Sequence, residues 1–390
     1  MKAADYGKFT STIAAFVATN SICQGRQVDT LWSQIFSSGN EIAFAHTSFK
    51  WANLASHNAG VTVVIVGISN HTGKTRHLFS ETDDSGTVVK VVEYINAYLV
   101  AAPNIIVAQR SQPLSELDEM SFGNMPNDGG HLLLDVEQAA TALGSHGVDR
   151  RFIRPFVGSE EFINGLERRC IWVREADCET ASNNVWLSER FDSVQTKRRG
   201  STRATTVKLA SIPFRFGEVR QTGNESTTIV PSVSSEAREY LPVGYRSPGT
   251  IVSNLAFALF DSPLWNMAII ASRLHLVWIA TVCGKLETRY RYSNTLGWNT
   301  FPVPTLTDKN KNDLTRCAED ILLAREHHFP ATIADLYEPD TMPEDLRQAH
   351  ERNDEVLERV YIGRRFKNDT ERLEKLFDLY TKMATTKGAA

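Results

Sequence analysis

Glu41-Ile42-Ala43-Phe44-Ala45-His46-Thr47-Ser48-Phe49 and Val61-Thr62-Val63-Val64-Ile65-Val66-Gly67-Ile68 decide how the first third of the chain is read. Short apolar runs rich in β-branched residues, bounded by polar and turn-forming residues, are the signature of sheet strands. Ala14-Ala15-Phe16-Val17-Ala18-Thr19, which ends in polar Asn20, Ser21 and Gln24, predicts a third strand. Val28 to Phe36 predicts a helix between strands. Strand, helix, strand, strand is half of an α/β sandwich. No glycine-rich phosphate or dinucleotide loop precedes these strands, and the chain is expected to start almost directly on one.

Outward from this region the character changes twice. From about residue 111 to 305 the runs are shorter and turns more frequent. Phe122 to Gly130 reads as a loop, Leu132 to Gly144 as a short helix, and Trp265 to Cys283 is long enough for one buried helix. Phe301-Pro302-Val303-Pro304 closes this part, because prolines two apart resist both helix and central strand. From Asp308 to Met383 the pattern is helical throughout, punctuated by Met342-Pro343. The expected organisation is three domains, 1–110, 111–305 and 306–390, in keeping with a length of 390 residues.

Composition narrows the classes of function. The chain is 42% hydrophobic and 23% charged, within the range of globular proteins and far from disordered or fibrous ones. No uncharged apolar run approaches the 18 residues of a membrane span, and the N-terminus lacks the apolar core of a secretory signal, so a cytoplasmic protein is expected. The cysteines (Cys23, Cys170, Cys178, Cys283, Cys317) are scattered without Cys-x-x-Cys spacing, and no His-x-x-x-His occurs. Reduced, buried thiols and no metal site are expected.

A net charge of −4 conceals an uneven distribution. Trp186 to Arg220 holds eight basic and three acidic residues, a balance of +5, whereas Ala318 to Ala390 carries −5. Lys197-Arg198-Arg199-Gly200-Ser201-Thr202-Arg203 reads as a loop that mixes cations with small hydroxyls, a combination suited to phosphate oxygens. A solvated basic loop without a partner is the alternative.

Several motifs, in order, carry a resemblance. They are Asn20-Ser-Ile-Cys-Gln-Gly25, Phe44-Ala-His-Thr-Ser-Phe-Lys-Trp-Ala-Asn53, Asn58-Ala-Gly-Val61, Arg154-Pro-Phe-Val-Gly-Ser159 and Pro231-Ser-Val-Ser-Ser-Glu-Ala-Arg238. Arg289-Tyr-Arg-Tyr-Ser293, Asn299-Thr-Phe-Pro302, Ala334-Asp-Leu-Tyr337, Met342-Pro343 and Ala349-His350 continue the series. Together they resemble the MmeI-like enzymes, single-chain type IIG (IIL) restriction-modification proteins that methylate adenine N6. The resemblance implies an α/β partial methyltransferase sheet, then a mixed α+β target recognition domain, then an all-α C-terminal domain. It implies double-stranded DNA as partner and S-adenosylmethionine as cofactor of the full-length enzyme. The Asn-Pro-Pro-Tyr/Phe loop that the family places upstream of these motifs does not occur in this sequence. The chain is therefore expected to bind no cofactor alone and to transfer no methyl group, and a separate methyltransferase or nuclease chain carrying the core is a possible partner. The competing expectation is a stand-alone DNA-binding specificity subunit.

Methylating a base inside a duplex requires extruding it, and an aromatic face compensates part of the lost stacking. By the resemblance, Phe49 or Trp51 supplies that face; packing beneath a sheet edge is the alternative. Side chains that match base edges are Arg for guanine, Asn for adenine and Glu for cytosine. Glu287, Arg289 and Arg291 alternate on what reads as one extended stretch, which points all three to one side. By the resemblance, this stretch and Asn254 belong to the base-reading surface; an internal Glu–Arg ion pair is the alternative. Arg198, Arg199 and Arg203 are candidates for the DNA backbone. Arg238 either touches phosphates or holds a loop.

Overall fold

The computed structural model describes residues 1–388 except 11, 52–60, 72, 74, 82–85 and 287–288. The chain forms two compact units, each assembled from separated segments. One comprises Met1–Leu117, Arg273–Thr307 and Leu357–Ala390, and the other Asp118–Ser272 and Asp308–Val356. These units do not follow the three consecutive parts expected from the sequence.

The first unit is built on a five-stranded sheet of β1 (Ala14–Thr19), β2 (Glu41–Trp51), β3 (Val61–Ser69), β4 (Arg76–Glu81) and β5 (Thr87–Val92), in the order β1-β3-β2-β4-β5. Only the β2–β4 pair is parallel. The period of two in the apolar runs places Ile42, Ala45, Val64, Val66, Ile68 and Leu78 on one buried face. Opposite Phe44 the partner is Gly67, where an added Cβ would lie 2.2 Å from the phenyl ring, so only glycine lets that ring lie across β3. The helix Arg26–Ser37 buries Val28, Trp32 and Ile35, spaced by four and three residues along one stripe. A short helix, Lys2–Gly7, precedes β1, so the chain does not open on a strand. Elsewhere in this unit Trp278, fully buried on the helix Arg273–Val282, packs on Phe377 and Tyr380 of the helix Asp369–Gly388, with ring centroids 5.1 and 5.7 Å away.

The second unit contains two small sheets. In one, Gly244–Arg246, Thr227–Pro231, Ala256–Phe260 and Ser121–Phe122 are neighbours in that order. In the other the order is Ile251–Val252, Ile153–Val157, Arg169–Ile171 and Leu133–Leu134. The core beside the latter gathers Phe152, Phe156, Trp172, Leu187, Phe191 and Phe216. The helix expected from Leu132 begins only at Val136. Asp135 is its N-cap, forming a capping box with Gln138, and Leu133–Leu134 is a strand instead. The single buried helix expected over Trp265 to Cys283 is two helices, Leu264–Ile270 and Arg273–Val282, with the Ser272 hydroxyl turned back onto the Ile269 carbonyl at 2.7 Å.

The last part of the chain is helical, in four pieces, Asp308–His327, Ile333–Leu336, Glu344–Ile362 and Asp369–Gly388, with Met342-Pro343 just before the third. In the second unit, buried Arg325 and Tyr337 join His350, whose Nε2 lies 2.6 Å from the Tyr337 hydroxyl. Cys23, Cys170, Cys283 and Cys317 are buried free thiols and Cys178 is half-buried. Among the described residues no single helix is long and apolar enough to cross a membrane.

Candidate functional site

The basic segment is not one loop. Lys197, Arg198 and Arg199 form the last turn of the helix Val185–Arg199, where the exposed carbonyl ends of the helix favour cations. Facing inward, the Arg198 guanidinium is fully buried. Its Nε donates to Asn127 O at 3.0 Å, Nη1 to Leu209 O and Ile212 O at 3.0 and 2.9 Å, and Nη2 to Pro126 O and Arg215 O at 3.0 and 2.7 Å. A guanidinium has five N–H donors, and these bonds use all of them. Burial lowers the Arg198 pKa, while Asp128 acts in the opposite direction. The expectation that Arg198 touches DNA is corrected: it ties the 126–127 and 209–215 loops to the helix.

Its neighbours point outward. Lys197, Arg199, Arg203, Lys208 and Arg220 are exposed, and Lys197 lays its aliphatic stem over Gly129. Arg190 is drawn inward, donating to His131 O at 2.7 Å and lying 4.2 Å over the Trp186 ring. Arg238 is half-buried, with Nη1 3.3 Å from Ser234 Oγ and the Glu338 charge acting on it. Those contacts favour holding a loop over touching phosphate.

Asn254 sits on a connection whose backbone is fixed from several sides. Its N–H donates to Asn124 O at 3.0 Å, and the carbonyl of the next residue, Leu255, accepts from Ser159 Oγ and Ser232 Oγ at 2.6 and 2.7 Å. Beneath lies a buried amide pair: Asn124 Nδ2 donates to Gln221 Oε1 at 2.8 Å, and that same Oε1 accepts from Val252 N at 2.9 Å. At Gly123 an added Cβ would meet the Val252 and Ser253 carbonyls at 2.4 Å, so the connection admits no side chain there. Sequence reasoning missed this frame, because a buried Asn–Gln pair 97 residues apart has no local pattern. Held on it, Leu255 is 60% exposed.

In the first unit, Lys285–Leu286 and Arg289–Arg291 pair antiparallel, with Leu286 opposite Arg289. Of the expected extended stretch from Glu287 to Arg291, Arg289–Arg291 is a strand, and Glu287 lies outside the described residues. Arg289 and Arg291 are both exposed and, two apart on one strand, share a face.

Phe49 and Trp51 lie at the far end of β2, just past a register shift between His46 and Phe49. Such a bulge re-aims the side chains that follow it. Phe49 meets His46 edge-on at 4.7 Å and Trp51 at 6.2 Å, and Trp51 is 45% exposed. The motif residues 52–53 and 58–60 lie outside the described residues.

A nucleotide-like cofactor on an α/β sheet needs an open turn between strand and helix N-terminus. The turn into Arg26–Ser37 is occupied by protein: Gly25, at φ +60°, donates to Val282 O at 3.2 Å, and its Cβ position lies 3.2 Å from Gly284 N and Cα. This turn does not fit S-adenosylmethionine. Among the described residues no group of three or more His, Cys, Asp or Glu side chains could hold a metal ion.

Comparison with known proteins gives matches along the chain. Residues 1–80 match the family described as the MmeI DNA-methyltransferase domain, residues 101–305 the MmeI target recognition domain, and residues 306–387 the MmeI C-terminal domain. DNA methyltransferase A of Bacillus subtilis (strain 168) is 42% identical over 381 residues, covering 97% of this chain and 42% of the relative. A solved structure of the type IIL restriction-modification enzyme MmeI in complex with DNA superposes with a TM-score of 0.84 at 33% identity, covering 98% of this chain and 51% of that one. The chain thus spans about half the length, or less, of these relatives. With a target recognition domain matched over more than half of its residues, the chain belongs to the MmeI family.

Proposed function

We propose that this chain recognises a specific sequence in double-stranded DNA for S-adenosylmethionine-dependent N6 methylation of adenine within a type IIG (IIL) restriction-modification enzyme. The observation that carries the reading is the likeness, over 98% of this chain, to an enzyme whose solved structure is described with DNA. The division near residues 110 and 305 is part of the same proposal. Exposed Arg199 and Arg203 supply phosphate contacts, Asn254, Arg289 and Arg291, with Glu287, read base edges, and Phe49 or Trp51 stacks on the extruded adenine. Asn-Pro-Pro-Tyr does not occur here, so the methyl donor and the group that accepts the amino proton are assigned to residues outside this chain, in the same protein or a separate one. Nothing in the composition or burial of the chain conflicts with the proposed cytoplasmic setting.

Two measurements test this. Fluorescence anisotropy with duplexes of varied sequence is expected to show binding that weakens steeply with salt and favours one sequence. Equal affinity for every duplex, or none, would reject the reading. Incubated with labelled S-adenosylmethionine and DNA, the purified chain is expected to transfer no methyl group; turnover would show that the chain supplies its own core.

A further inference from the structure

The second unit holds a cavity of about 280 Å³ to which the proposed function gives no part. Trp172, Val173, Phe216 and Val219 make its wall apolar, with the Phe216 ring edge-on to the Trp172 indole at 5.1 Å. The polar side chains around it are bonded within the protein, so the cavity is preformed. Trp172 Nε1 donates to Thr222 O at 3.0 Å, and the turn that follows is held by Glu225, whose Oε1 accepts from Thr222 N and whose Oε2 accepts from Gly223 N, both at 2.8 Å. Gln221 Nε2 donates to Thr250 O at 2.9 Å, and Arg174 Nε to Asp177 Oδ2 at 2.9 Å. The exception is the pair at the rim, Arg215 and Glu175. Arg215 gives its carbonyl to Arg198, yet its own guanidinium donates no hydrogen bond among the described residues. Its Nε is shielded from solvent without a partner, and its Nη1 stays 3.9 Å from the Glu175 carboxylate, beyond hydrogen-bond reach. An unmet charged donor costs free energy that an acceptor on a ligand would recover.

We propose that this cavity binds a small planar aromatic carboxylate, with its ring against the wall of Trp172, Phe216 and Val219 and its carboxylate on the Arg215 guanidinium. The proposal stands independently of the function proposed above. Size, polarity and geometry select this chemistry. Pockets for drug-sized ligands run from about 300 to 1,000 Å³, so this one suits a ligand of one or two rings. A nucleobase is disfavoured, because its edge carries several donors and acceptors that an apolar wall leaves unpaired. A guanidinium takes a carboxylate through two parallel N–H bonds, and that match answers the unmet donor at the rim. Glu175 is 80% exposed, so its side chain gives way into water as the carboxylate of the ligand arrives.

The test titrates the full chain calorimetrically with cinnamate, a planar aromatic carboxylate, and with cinnamamide, its neutral counterpart of the same shape. Cinnamate is expected to bind saturably, one to a chain, and cinnamamide at least about tenfold more weakly, because a neutral amide forgoes the charge-assisted pair. Arg215→Gln is expected to weaken cinnamate at least about tenfold and to leave cinnamamide unchanged. Val219→Trp fills the cavity and is expected to abolish binding of both. Arg215 and Val219 are each only partly buried, and circular dichroism establishes that the variants fold. Absence of saturable cinnamate binding overturns the proposal, as does equal affinity for cinnamamide, a comparison that needs no variant. Affinity for cinnamate unchanged in Arg215→Gln or in Val219→Trp would place the probe elsewhere and also overturns it. So does displacement of cinnamate by an equal concentration of inorganic phosphate, which would reduce the site to a general anion contact.

Discussion

The five N–H groups of Arg198 all end on main-chain carbonyls, while the guanidinium of Arg199, one residue on, faces solvent. Replacing Arg198 by Ala would strand buried acceptors of two loops and open a hole beside the helix, at a cost of about 3 to 5 kcal/mol in chemical denaturation. Arg199→Ala and Arg203→Ala are expected to change stability by less than about 0.5 kcal/mol. Each should instead reduce the salt dependence of duplex binding by about one released counterion, for every sequence alike. A normal salt dependence in both variants would remove these two side chains from the phosphate surface. The pair shows what a residue string conceals: charge is written in the sequence, whereas the direction in which a helix turn points it depends on loops that arrive from residues 126 and 209 to 215.

At the scale of elements, the paired strands Lys285–Leu286 and Arg289–Arg291 present two arginines on one face. Substituting Arg289 with Gln in an enzyme supplied with the methyl-donor core proposed above should move the preferred base at one position, by about 1 to 3 kcal/mol. A uniform loss across all duplexes would instead assign Arg289 to structure or to phosphate. The first sheet was legible: β1, β2, β3 and the helix between β1 and β2 lie within two residues of where apolar alternation and β-branching put them. β4 and β5 were not singled out, since Arg76, His77, Lys90 and the exposed valines dilute the alternation. The break at Ala271 and Ser272 was equally hidden, because an apolar run does not record a serine that caps its own preceding turn. Of the candidate site, the exposed cations and the aromatics of β2 could be read from residue type. The buried amide frame beneath Asn254 could not.

At the scale of the molecule, each unit encloses a fully buried histidine that is neutral in the folded state. Burial lowers the pKa of His275 to about 3. Burial, reinforced by Arg325, also holds His350 well below its ordinary value, with the Ala271 carbonyl opposing. In the unfolded chain both titrate near 6.5, so the stability they contribute is complete above that pH and is lost as pH falls below it. Between pH 6.5 and 5, His275 alone should account for a loss of about 2 kcal/mol. Denaturant midpoints compared at pH 7.5 and 5 should therefore diverge less for His275→Gln than for the wild-type chain; identical divergence would show that this imidazole is already protonated when folded. The discontinuous make-up of the units bears on any attempt to engineer new specificity by shuffling. A cassette lifted out between residues 110 and 305 would carry Trp278 away from Phe377 and Tyr380, on which it packs. Such a graft inherits a torn hydrophobic seam along with its new base preference, and exchanging individual surface side chains is the less disruptive route.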